Sequence, residues 1–120
     1  MTDKQNTVAG SCLWLHYTRP RPHWYLVPAE KQGELQAAWA AIAQAAQGKG
    51  ALYQGRYHIR GQHDFETVDV WTFASSQAAF DYWNTLVSAK YSEFFAFSNN
   101  IGLALSGEHG AGASRIEHRL

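Results

Sequence analysis

The stretch Val68-Asp69-Val70-Trp71-Thr72-Phe73-Ala74-Ser75-Ser76-Gln77-Ala78-Ala79-Phe80 sets the frame for the residues on either side of it. Its first half alternates with period two and is rich in β-branched and aromatic residues, which is strand patterning. Ser75 or Ser76 then caps a helix whose buried face is expected at Ala79, Trp83, Leu86 and Val87. Upstream, two alternating runs at 51–60 and 65–73 are joined by Gly61-Gln62-His63-Asp64, and together they predict a hairpin. Before it, the Ala-, Gln- and Glu-rich residues 29–47 carry Leu35, Trp39, Ile42 and Ala46 along one stripe, which predicts a helix stopped by Gly48 and Gly50.

At the near end, Cys12-Leu13-Trp14-Leu15-His16-Tyr17-Thr18 reads as a strand that stops at Pro20 and Pro22. The connection 19–28 is long, aromatic and stiffened by proline, so it is expected as an ordered flap. Downstream, Phe94, Phe95 and Phe97 predict a further inward-packing helical turn within 91–100, and Ile101-Gly102-Leu103-Ala104-Leu105 a short last strand. The order β-α-β-β-α-β is that of an α+β, ferredoxin-like domain: an antiparallel sheet, strand order 4-1-3-2, with both helices on one face. Residues 12–105 form the domain, 1–11 an N-terminal arm, and the Gly-rich 106–120 a flexible C-terminal tail.

Composition narrows the function. The 120 residues, 46% hydrophobic and 17% charged, suit one globular domain. Ten Lys+Arg balance ten Asp+Glu, which argues against a nucleic-acid partner. A single cysteine, Cys12, excludes an internal disulfide framework and multi-cysteine zinc or iron–sulfur sites. No basic start precedes an apolar leader and no run approaches a membrane span, so a cytoplasmic protein without a membrane partner is expected. There is no nucleophile elbow, zinc-protease helix or Walker loop, and the glycines around Glu108-His109 lack the strand-to-helix setting of a phosphate loop.

The two sheet faces differ in chemistry. Parity puts Leu13, Leu15, Tyr17, Tyr57, Ile59, Val68, Val70, Thr72, Ile101, Leu103 and Leu105 on one side, the plain apolar set expected beneath the helices. The other side then carries Cys12, Trp14, His16, Thr18, Arg56, His58, Arg60, Thr67, Asp69, Trp71 and Phe73. Large aromatics among ionisable groups are seldom left bare, so a second copy of the chain, a ligand, or both are expected to cover that side.

The element order, with the 68–80 strand running into its helix, resembles the dimeric α/β-barrel superfamily. This group includes antibiotic-biosynthesis monooxygenases, muconolactone isomerases, small polyketide cyclases and haem-dependent peroxidase relatives. The resemblance spans 12–105 and implies a homodimer through the sheet face, with a small-molecule cavity lined by the aromatic side. It fixes no catalytic set.

From the residues, His16 or His58 is a candidate base with Asp69 as its orienting partner, all three being catalytic candidates. Arg56 or Arg60 could hold a carboxylate or enolate oxygen, and Trp14, Trp71 and Phe73 could pack on a flat ligand. The expected function is His-assisted acid–base chemistry or cofactor-free oxidation on a compact, hydrophobic or aromatic, carbonyl-bearing metabolite, with no cofactor required. The structural alternative pairs Asp69 with Arg56 or a histidine across strands as a simple ion pair. Two further alternatives are a non-catalytic homodimer that binds a hydrophobic metabolite and, implied by the resemblance alone, a haem-binding relative ligated by His16 or His58. A 2-His-1-carboxylate iron site is conceivable in residue type, but no spacing supports it.

Overall fold

The computed structural model describes residues 11–60 and 64–105. Four strands, β1 (Cys12–Pro20), β2 (Leu52–His58), β3 (Thr67–Phe73) and β4 (Phe95–Leu103), form one sheet in the order β2-β3-β1-β4. All three pairings are antiparallel. Between the strands lie helix α1 (Ala29–Gly48), helix α2 (Ser76–Ser88) and the single turn α3 (Tyr91–Phe94). This is the ferredoxin-like architecture, with β2 and β4 at the edges.

Local chemistry accounts for the element ends. Ser75 Oγ accepts from the Ala78 amide at 3.1 Å and opens α2. At the far end of α1 the chain turns through Gly50, whose φ of 107° lies in the region that glycine adopts without strain. The flap 19–28 is ordered: a 3-10 helix (Pro22–Leu26) buries Trp24 against Trp39, Phe94 and Phe95. Arg21 fastens it to α3, its amide to the Phe94 carbonyl at 2.8 Å and its Nε to the Ser92 carbonyl at 3.1 Å. From α1, Trp39 Nε1 donates to the Ala89 carbonyl at 3.0 Å, just before α3.

Several expectations need correction. The last strand starts at Phe95 rather than at Ile101, because the helical turn after α2 ends at Phe94 and β-geometry then pairs 95–103 along all of β1. Val87 is 40% exposed, so the buried side of α2 runs through Ala79, Trp83 and Leu86 without it. The gross inversion concerns the faces. Trp14 packs against Tyr82 and Trp83 of α2, with ring centroids 5.5 and 6.2 Å apart, so the aromatic side lies beneath the helices. Cys12, Trp14, His16 and Thr18 are buried while Leu13 is 40% exposed. Parity separates the two sets without saying which one meets the helices. Here large rings bridge the gap between sheet and helix, and the shorter aliphatics face away.

The helix-free side carries Leu13, Leu15, Tyr17, Val68, Val70 and Thr72, paired across β1 and β3. Leu52 and Tyr57 of β2 continue it, at 53% and 56% exposure. Ile101 and Leu103, expected on the side of Leu13, instead sit opposite Trp14 and Cys12 in the register, on the helix side, with Gly102 opposite Leu13. The tip of the expected hairpin, 61–63, the arm 1–10 and the tail 106–120 fall outside the described residues.

Candidate functional site

A cavity of about 650 Å³ lies between α1 and the β2–β3 half of the sheet. Its sheet wall is His16, Thr18, Tyr53, Arg56, Asp69 and Trp71. The helix wall is short or neutral (Gln36, Ala40, Ala43, Gln44 and Gln47), while Tyr82 and Tyr91 close the inner end. Small side chains on α1 leave a slot facing an aromatic floor, a shape that admits a flat molecule.

Two polar clusters share this wall. In the first, Arg56 Nε and Nη2 donate to Asp69 Oδ1 and Oδ2 at 2.7 and 3.0 Å, a bidentate pair, and Tyr53 donates to Oδ1 at 3.1 Å. The carboxylate holds Arg56 firmly charged, while burial and then the adjacent anion push the Tyr53 hydroxyl upward. Tyr53 reaches this face through a β-bulge: the register steps from Tyr53/Trp71 to Gly55/Val70, and Gly55 has a φ of 123°. Without the extra residue, Tyr53 and Arg56 would point to opposite sides.

The second cluster is centred on His16, which is 3% exposed. Its Nδ1 is 2.6 Å from Asn99 Oδ1 and its Nε2 is 3.0 Å from the Tyr91 hydroxyl. Burial lowers the imidazole's pKa, against smaller opposing effects from the Asn99 bond and the Asp69 charge, so the ring is neutral. Burial likewise raises the Tyr91 hydroxyl, with the Asp69 charge second, and the nearby Thr18 hydroxyl works the other way. The imidazole stacks on Trp14 at 5.0 Å between centroids.

The sequence candidates divide accordingly. His16, Asp69, Trp14, Trp71, Arg56 and Phe73 lie on one face, and His16, Asp69, Trp71 and Arg56 line the cavity. Trp14 and Phe73 belong to the packed core beneath α2. His58 is exposed on the edge strand opposite Thr67, and Arg60 is exposed beyond the end of β2. Asp69 is taken by Arg56 and Tyr53, so Asn99 rather than Asp69 orients His16, even though Asp69 is its register neighbour. The cross-strand ion pair expected as the structural alternative is therefore present. Among the described residues no group of three or more His, Cys, Asp or Glu is placed to hold a metal ion, which leaves the iron reading without its second histidine. Of the two histidines that could ligate haem, His58 lies exposed on the edge strand and His16 is buried in its cluster. Both His16 nitrogens are engaged, and freeing Nε2 would break the Tyr91 bond in a buried setting.

The sequence does not single out Tyr53 or Tyr91, and Asn99-Asn100 reads first as turn chemistry and second as a polar contact at a cavity mouth. The bulge hides Tyr53's parity, Tyr91 lies in a turn, and the pairing of Asn99 with His16 depends on the last strand starting at Phe95.

Comparison with solved structures places this geometry in a known fold. The chain superposes on a chlorite dismutase variant from Candidatus Nitrospira defluvii with a TM-score of 0.73 at 14% identity, covering 100% of this chain and 52% of that one. A second variant gives 0.72 at 12%, covering 99% and 52%. Another, solved in complex with cyanide, gives 0.71 at 13%, covering 99% and 52%. The likeness is one of fold. The chain spans about half the length of these structures. No family model matches it, and no curated protein matches it by sequence. No helix among the described residues is long and apolar enough to cross a membrane.

Proposed function

We propose that this protein binds a compact, flat, carbonyl-bearing metabolite in the slot between α1 and the sheet and moves a proton on it, as a small acid–base enzyme. The observation that carries this reading is the buried, neutral His16 hydrogen-bonded to Tyr91 on the wall of a cavity floored by Trp71. A neutral imidazole behind a tyrosine hydroxyl can accept a proton near neutral pH, which a charged one cannot. Arg56 keeps donors on Nη1 beyond those given to Asp69, and these can meet a ligand carbonyl or enolate oxygen at the cavity edge.

The helix-free sheet side supports a homodimer. Its exposed Leu13, Leu52 and Tyr57 form an apolar surface of the kind that a second copy covers. The partner sheet would then sit opposite the side that sequence parity first suggested. Native mass measurement tests this, and a monomer at micromolar concentration would refute it.

Ligand binding is tested by titrating tryptophan fluorescence with 2-naphthol and with 2-hydroxy-1,4-naphthoquinone. Saturable quenching that Ala43→Phe abolishes is expected; quenching that survives the filled slot would remove the cavity from the argument. Deuterium uptake by acetylacetone then separates enzyme from binding module. Acceleration over buffer that Tyr91→Phe removes supports the enzyme, and binding without acceleration supports the non-catalytic binder. The haem-binding alternative draws on the fold likeness alone. It requires a Soret band on hemin addition that shifts in a His16→Gln variant.

A further inference from the structure

The two hydrogen bonds on His16 form one chain. The Tyr91 hydroxyl lies 3.0 Å from His16 Nε2, and His16 Nδ1 lies 2.6 Å from Asn99 Oδ1. Tyr91 and His16 line the cavity; Asn99, on β4 beyond His16, does not. The chain thus starts at the slot and ends on a buried amide oxygen.

Its polarity follows from that last atom. An amide oxygen only accepts, so His16 must carry its proton on Nδ1. Nε2 then has only a lone pair, so Tyr91 must donate to it. The Tyr91 oxygen is left free to accept from the cavity side. Both links donate in the same direction, and such chains strengthen cooperatively. The opposite polarity would need Asn99 turned to offer its NH₂ group, with His16 then donating to Tyr91.

We infer that Asn99 is a positioning residue that fixes the His16 tautomer and so polarises a proton relay from the cavity to His16, with Tyr91 as the hydroxyl that meets the ligand. This rests on the acid–base reading above and adds the route to it. In the transfer step a ligand C–H or O–H bond breaks and its proton joins the Tyr91 oxygen. The Tyr91 O–H bond breaks as its own proton forms a bond to Nε2. The electron pair stays on the ligand as an enolate or oxyanion, and the imidazolium keeps its Nδ1–H on Asn99. The charged groups facing His16 are Asp69, its neighbour on β3, and Arg56 behind that carboxylate. Asp69 favours the imidazolium, and Arg56 opposes it.

The test is nitrogen-15 NMR of the ligand-free full chain labelled at histidine, with Asn99→Asp as the comparison. In the native protein at pH 7 one histidine is expected with a pyrrole-type Nδ1 and a pyridine-type Nε2, assigned by its loss in His16→Gln. In Asn99→Asp the new carboxylate should raise that histidine's titration midpoint by about 1–3 pH units. A native Nε2–H tautomer, an imidazolium at pH 7, or an unmoved midpoint in the variant would each overturn the inference. Because no ligand is present, these results stand apart from the binding experiment. If naphthol fails to bind while the tautomer is as expected, the reading of the cavity fails and the relay geometry stands.

Discussion

Tyr53 and Arg56, three residues apart on an edge strand, converge on the same atom, Asp69 Oδ1, at 3.1 and 2.7 Å. Regular alternation would place them on opposite faces. The bulge at Gln54 and Gly55 resets the parity, and Gly55 at φ 123° makes the bulge possible. A Cβ at Gly55 would meet the Tyr57 hydroxyl at an ordinary 3.6 Å and its ring at 3.7 Å, so the penalty for Gly55→Ala is conformational rather than steric. We expect a loss of about 1–2 kcal/mol and a Tm lowered by roughly 5–10 °C, read by thermal melting. A melt unchanged within error would show that the bulge tolerates a side chain.

Removing either end of the Arg56–Asp69 pair should have unequal effects. The side chains are 60% and 10% exposed, respectively. Asp69→Asn leaves an arginine that water can solvate, and should destabilise by about 1 kcal/mol. Arg56→Ala leaves a buried carboxylate with one hydroxyl donor. Discounted for the exposure of the arginine, it should destabilise by about 2 kcal/mol. Urea unfolding of both variants checks the order, and a larger loss for Asp69→Asn would contradict it.

Acid sensitivity should track His16. Its folded-state pKa lies below the unfolded value because burial disfavours the imidazolium. Above about pH 6.5 the ring is neutral in both states and its contribution is constant. As pH falls below that, the unfolded chain binds a proton that the folded one refuses, so stability drops toward the folded-state pKa by at most about 1.4 kcal/mol per pH unit. His16→Gln should flatten this part of the stability profile. Asp69→Asn, which removes a charge that favours protonation, should extend the slope to lower pH. Chemical denaturation at half-unit steps from pH 4 to 8 measures both, and a profile that His16→Gln leaves unchanged would refute the assignment.

Lys90 adopts φ 70°, a left-handed conformation, in the turn that delivers Tyr91 to His16. Its contact with Glu93 at 3.9 Å is between exposed side chains and adds little. Lys90→Gly should therefore stabilise the fold by about 0.5–1 kcal/mol while leaving Tyr91 in place. A destabilised variant would mean that the lysine side chain holds the turn by some other contact.

Much of the architecture is legible in the residues. The 68–80 strand-to-helix run, the stripe through Leu35, Trp39 and Ile42 and the alternation of 12–18 together give the element order and the sheet topology. Parity also gathers His16, Asp69, Trp71 and Arg56 on one side. What parity cannot give is which side meets the helices, since Trp14 and Leu13 are both apolar enough for a core. Nor can it follow a strand through an inserted residue, so Tyr53 is hidden. The partner of His16 depends on β4 running from Phe95, and an aromatic cluster there reads equally well as helix. Asn99 reads as a turn residue or a cavity-mouth contact, and its partnership with His16 emerges only with the register.

Trp39 has one further consequence. Its indole is bolted to the Ala89 carbonyl, and its ring stands edge-on to Tyr91 at 5.1 Å. The same helix carries Ala40 and Ala43 on the slot. Any outward swing of α1 to admit a bulkier guest therefore tugs on the bend that aims the Tyr91 hydroxyl. Guest size and the alignment of the acid–base machinery are mechanically geared, so an oversized molecule can be held yet left unreacted.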